Sequence, residues 1–164
     1  MSRLFVAVEL PDDVRHGLDA ALPRPAAPGV RWVPPHQWHV TLRFLGEADE
    51  EQATEALSSL RAEPATAVLG PRVSRLGRDV VCLPVAGLDE LAGRVRATTT
   101  GVGEPPGRPF VGHLTLARLR HRAACGLAGT AVDATFPVDE VVLVRSTLHP
   151  DGARHERVVA VALR

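Results

Sequence analysis

Hydrophobic and polar positions along this chain divide it into short strands and amphipathic helices. Residues 4–8 form an unbroken apolar run that suits a buried strand. Pro11 then stands where the first turn of a helix tolerates proline, and Asp12 and Asp13 favour that start through the helix dipole. Val14, Leu18 and Leu22 share one face of this helix. Residues 23–35 carry five prolines and read as extended chain or loop. A strand pattern follows over 38–45, with a glycine stop at Gly46. The acidic cluster at 47–51 opens a second helix that runs to about residue 62, with Ala53, Ala56, Leu57 and Leu60 inward. Residues 66–85 return to a strand pattern, broken at Gly70-Pro71 and at Gly77-Arg78-Asp79, the latter a hairpin turn. A third helix spans 88–99 with Leu88, Leu91 and Val95 inward, and a glycine- and proline-rich loop over 101–109 leads to a strand at 110–118. The stretch 120–130 reads as a short helix or a loop, and strands at 139–148 and 157–163 join through Pro150-Asp151-Gly152. Strands and helices interleave without strict βαβ alternation, which predicts an α+β fold with largely antiparallel sheets.

Composition narrows the class. At 164 residues the chain has room for one domain or two fused lobes, and it is read as one. A 45% hydrophobic and 23% charged composition is that of an ordinary globular protein. Nineteen basic and nineteen acidic residues balance to zero, which argues against a long electrostatic track along a nucleic acid but leaves room for gripping one phosphate. All the basic residues are arginine, so Schiff-base and phosphate-loop lysine chemistry are excluded. Cys82 and Cys125 are too few and too far apart for a disulfide framework or a zinc knuckle, which points to a reduced, cytoplasmic setting. The N-terminal apolar run is too short for a signal peptide, and no segment approaches the roughly 20 apolar residues of a spanning helix.

Two segments repeat a pattern: His39-Val40-Thr41-Leu42 and His113-Leu114-Thr115-Leu116. At this composition His-x-Thr-Leu arises by chance roughly 0.05 times, so two copies are a strong signal where one is weak. Alternation along a strand puts His39 and Thr41 on one face and Val40, Leu42 and Phe44 on the other, toward a core. His113 and Thr115 do the same. If the two strands lie side by side about a pseudo-twofold axis, two imidazoles and two hydroxyls converge on a shared cleft. Such a set suits a phosphodiester: one neutral imidazole takes a proton from water, one imidazolium protonates the leaving oxygen, and the hydroxyls bind the nonbridging oxygens. Histidine fits because both of its protonation states are populated near neutrality.

Both motifs, with Arg3-Leu4-Phe5-Val6-Ala7-Val8, Arg31-Trp32-Val33-Pro34-Pro35, Arg43-Phe44-Leu45-Gly46-Glu47 and Arg108-Pro109-Phe110, resemble the 2H phosphoesterase superfamily over essentially the whole chain. The resemblance is to its bacterial RNA 2′,3′-cyclic phosphodiesterase branch, historically called LigT or 2′-5′ RNA ligase. It implies a two-lobed, pseudo-twofold α+β fold around a central cleft, no metal or other cofactor, and hydrolysis of a 2′,3′-cyclic phosphate to a 2′-phosphomonoester. Carried over, it makes His39 the proton donor to the departing 3′ oxygen, His113 the acceptor that activates water, and Thr41 and Thr115 the phosphate holders. The residues alone support an acid/base pair without saying which histidine is which.

Plain alternation puts Arg43 in register with His39 and Thr41, at the cleft, and Arg118 on the face opposite His113 unless a bulge re-aims it; both are candidates for substrate contact. Trp32, Trp38 and Phe110 are open between base stacking and core. His36 lacks a paired carboxylate for a metal site, and His16, His121, His149 and His155 read as surface residues. The expected substrate is an RNA or oligonucleotide end bearing a 2′,3′-cyclic phosphate, handled by a monomer without a membrane. The alternatives are a nonenzymatic RNA- or nucleotide-binding module, the same chemistry on a small cyclic nucleotide, or the reverse reaction as ligation. No acidic residue lies between Asp19 and Glu47 or between Glu104 and Asp133, the windows that hold the two motifs with Arg24, Arg31, Arg43, Arg108, Arg118, Arg120 and Arg122. Overall neutrality is thus compatible with a locally positive cleft.

Overall fold

The computed structural model describes residues 1–120 and 123–164, so the expectations for His121 and Arg122 lie outside the described residues. In chain order the elements are β1 (Ser2–Glu9), α1 (Asp12–Ala21), β2 (Val30–Trp32), a single 3₁₀ turn (Pro35–Gln37), β3 (His39–Ala48), α2 (Glu50–Ser58), β4 (Ala65–Leu69), β5 (Ser74–Leu76), β6 (Val80–Ala86), α3 (Asp89–Thr98), β7 (His113–Leu119), β8 (Ala134–Val138), β9 (Glu140–His149) and β10 (Gly152–Ala162). The strands form one curled antiparallel sheet in the order β10-β9-β1-β3-β7-β6-β4-β8, with β2 added to β7 and β5 to β6. The two motif strands, β3 and β7, are therefore central neighbours. Three further strands continue outward from each, β1-β9-β10 on one side and β6-β4-β8 on the other. This is the expected pseudo-twofold α+β arrangement, its two lobes being the two halves of one sheet.

Alternation along the strands assigns the faces. Leu4, Val6 and Val8 of β1, Val40 and Leu42 of β3, and Leu114 and Leu116 of β7 point into the main core, where Leu18 of α1, Leu57 of α2 and Leu91 and Val95 of α3 cover them. Phe5 and Ala7 point the other way and pack with Val142 and Val144 of β9 in a small second cluster. Helix α2 starts where Asp49 accepts a hydrogen bond from the Gln52 amide at 2.8 Å, a side-chain N-cap. It stops at Ser58, earlier than its apolar spacing suggested. The Ser58 and Ser59 hydroxyls donate back to the Thr54 and Glu55 carbonyls, a local competition that weakens helices, and Pro64 lies just beyond. Leu60 is buried all the same.

Two strands were not legible. β2 lies inside the proline-rich stretch, and β8 contains Pro137, which a sheet accepts because β8 is its last strand. The described part of 120–130 contains turns and no helix. β10 begins at Gly152, directly after the turn, five residues earlier than the apolar pattern indicated. Among the described residues no helix is long and apolar enough to cross a membrane. Both cysteines are free thiols.

Candidate active site

Each motif strand carries one extra residue directly after its threonine. On β3, Thr41 pairs with Ala7 and Arg43 with Val6, leaving Leu42 unmatched. On β7, Thr115 pairs with Cys82 and Ala117 with Val81, leaving Leu116 unmatched. A bulge of this kind reverses the facing of the residues that follow it, until on β3 a second unmatched residue, Leu45, resets the register. Leu42 and Arg43 are consequently both buried, as are Leu116 and Ala117, while Phe44 and Arg118 turn to the threonine side and are exposed.

The bulges correct two expectations and decide a third. Arg43 does not reach the cleft. Its guanidinium lies in the core and donates to the Thr99 carbonyl at 2.6 Å, the Thr99 hydroxyl at 2.5 Å and the Val102 and Glu104 carbonyls, both at 3.1 Å. It thereby pins the loop after α3 behind β3. Burial, and the nearby positive Arg96, depress its pKa. Phe44, expected in the core, is 57% exposed on the cleft side. Arg118 is re-aimed toward the cleft.

The two histidines are held alike. His39 Nδ1 meets the Gln37 carbonyl at 2.7 Å, and His113 Nδ1 meets the Val111 carbonyl at 2.7 Å. A carbonyl only accepts, so Nδ1 carries the proton in both rings and Nε2 is left for chemistry. β3 and β7 touch through the antiparallel pair Val40 and Leu114. On antiparallel strands the neighbours of a pair run in opposite directions, so His39 lies toward Thr115 and Thr41 toward His113. Gly112, just before His113, lets β7 approach β6: a Cβ there would fall 2.2 Å from the Val85 carbonyl oxygen.

Their surroundings differ. The Phe5 ring stacks on His39 with centroids 4.9 Å apart, and His155 meets it edge-on at 5.5 Å. The His39 Nε2 also lies 3.0 Å from the Thr41 hydroxyl. Burial in this enclosure lowers the His39 pKa to about 4; the bond to the Gln37 carbonyl opposes the shift, and the positive charge of His155, His113 and Arg118 adds to it. All three therefore lie near enough to His39 for their charge to act on it. His155 was expected at the surface. The early start of β10 instead brings it against His39 and Phe5, where burial, aided by His36, lowers its pKa too. Gln37 ties the 3₁₀ turn to β10 by donating to the Ala153 carbonyl at 2.6 Å.

The remaining aromatic candidates are structural. Trp38 is buried and donates to the Val33 carbonyl, Trp32 donates to the Pro25 carbonyl, and Phe110 lies beneath Arg96. Phe44 was missed because a bulge leaves no mark in a continuous apolar run, and Phe5 because its run read as wholly buried in one core. Among the described residues no cluster of three or more His, Cys, Asp or Glu side chains is placed to hold a metal ion.

Residues 8–69 match the family model described as LigT like phosphoesterase. An RNA 2′,3′-cyclic phosphodiesterase of Thermus thermophilus is 33% identical, over 99% of this chain and 90% of that protein. A protein of the same name from Methanocaldococcus jannaschii is 24% identical over 94% of this chain and 96% of its own. Among solved structures, E. coli LigT complexed with 3′-AMP superposes with a TM-score of 0.77 at 27% identity, covering 99% of this chain and 98% of that one.

Proposed function

The chain belongs to the LigT-like phosphoesterases, and from that premise we propose that its paired histidines hydrolyse RNA 2′,3′-cyclic phosphate ends. The enzyme is a phosphodiesterase acting on 2′,3′-cyclic phosphates. The observation that supports the mechanism is the twofold arrangement itself: two imidazoles on neighbouring central strands, each tethered through Nδ1 so that Nε2 is left for proton transfer.

Water attacks the phosphorus and gives its proton to His113 Nε2. The bond from phosphorus to the 3′ oxygen breaks, and that oxygen takes a proton from His39 Nε2, leaving a 2′-phosphomonoester and a 3′-hydroxyl. Thr41 and Thr115 donate to the nonbridging oxygens, and Arg118 supplies positive charge where negative charge develops. In the free protein His39 is neutral near pH 7. A phosphodiester anion beside it favours the imidazolium, so substrate itself supports protonation of the donor. Phe44 offers an exposed ring on which the terminal base stacks.

The protein is read as a cytoplasmic monomer. The test is product identity: incubated with an RNA ending in a 2′,3′-cyclic phosphate, in the presence of chelator, it yields the 2′-phosphate at an unchanged rate. A 3′-phosphate product, or no turnover, refutes the reading.

A further inference from the structure

Arg31 of β2 stands directly across from Arg118 of β7 in the antiparallel ladder, so both side chains project from the same face. Both residues are exposed, and among the described residues neither is in an ion pair with a carboxylate. Like charges directly opposite one another destabilise a sheet, and nothing acidic offsets this pair. Asp151, in the nearby turn, faces Arg154 at 3.8 Å. The Arg31 guanidinium reaches across to that turn: a Cβ on Gly152 would lie 2.6 Å from its Nη2. Three residues further along β10, His155 rests on His39. Arg31 is thus at the margin of the two-histidine cleft, between the strand that carries Arg118 and the strand that carries His155.

A cost retained beside a phosphate-cleaving centre calls for an anion. The cyclic phosphate occupies the histidines, and an RNA end brings a further phosphodiester one nucleotide upstream. We propose that Arg31, next to the Arg118 that serves the reacting phosphate, forms a second phosphate subsite that binds this upstream phosphodiester, so that the enzyme selects polynucleotide ends over free cyclic mononucleotides. The proposal rests on the phosphodiesterase reading above.

Binding of product-like ligands separates the two claims, because it needs no turnover. Calorimetric titration of the wild type, Arg31→Ala and Arg31→Lys compares an oligoribonucleotide ending in a 2′-phosphate with adenosine 2′-phosphate alone. Arg31→Ala is expected to lower the ratio of oligonucleotide to mononucleotide affinity roughly tenfold, with Arg31→Lys restoring part of it. The slope of log affinity against log salt for the oligonucleotide falls by about 0.7, the value for one phosphate contact on a single strand. An affinity ratio unchanged in Arg31→Ala overturns the subsite. Absence of turnover by the wild type on a cyclic-ended RNA is the separate failure, that of the phosphodiesterase reading.

Discussion

The His39 half and the His113 half of the sheet share a scaffold and differ in what surrounds it. Both tether Nδ1 to a carbonyl two residues earlier, and both bulge directly after the threonine. Yet His39 is enclosed by Phe5 and His155 and lies within 3.0 Å of its own threonine hydroxyl. Among the described residues His113 has no ring packed on it and no partner at Nε2. After the bulge, the first half puts Arg43 into the core and Phe44 at the cleft; the second puts Ala117 into the core and Arg118 at the cleft. Repetition places two equivalent imidazoles, and the unrepeated neighbours make them chemically unequal. The enclosure by itself holds His39 neutral, so the donor role proposed for it depends on the substrate anion that favours its imidazolium.

The strongest way to break the comparison is to remove each imidazole in turn. His39→Ala and His113→Ala are each expected to lower kcat by about 10²–10⁴-fold with thermal unfolding essentially preserved, measured on a cyclic-ended RNA. A variant with full activity would remove its half from the chemistry.

Next comes the bulge on β3, which sends Arg43 to the core and Phe44 to the threonine side, the reverse of plain alternation. Arg43→Ala leaves the carbonyls of Val102 and Glu104 without the guanidinium that donates to them and is expected to cost roughly 2–4 kcal/mol of stability in urea unfolding. Phe44→Ala is expected to change stability by less than about 0.5 kcal/mol while raising KM for a base-bearing substrate. The reverse outcome would restore the unbulged strand.

The smallest effect follows from the enclosure of His39. Its folded pKa of about 4 lies below the ordinary 6.5, so between these values the unfolded chain holds a proton that the folded one lacks. Stability is therefore lost as pH falls through 6.5 toward 4. The contribution is under about 1 kcal/mol between pH 7 and 6 and grows below that. Urea titrations at stepped pH on the wild type and His39→Gln should show this component in the wild type only; identical profiles would mean that His39 is not enclosed in solution.

Much of this was legible in the sequence. The duplicated His-x-Thr-Leu marked the two imidazoles and their hydroxyls, and apolar periodicity placed all three helices and most strands. What escaped depends on backbone irregularity or distant pairing. No residue type announces the bulges at Leu42 and Leu116, which reverse the facing of Arg43, Phe44 and Arg118. His155 sits in the polar stretch that opens β10, and only pairing with β9, itself paired with β1, carries it beside Phe5 and His39. Arg31 lies in a three-residue strand hidden among prolines, and its significance comes from the arginine opposite it.

The division of labour between the halves is tested most directly by relieving the need for a proton donor. A substrate with sulfur in place of the bridging 3′ oxygen releases a thiolate that leaves without protonation. On that substrate His39→Ala should recover most of its lost rate relative to the wild type, while His113→Ala should remain as impaired as before. Recovery by His113→Ala instead would reverse the roles, and recovery by neither would contradict acid/base catalysis by this pair.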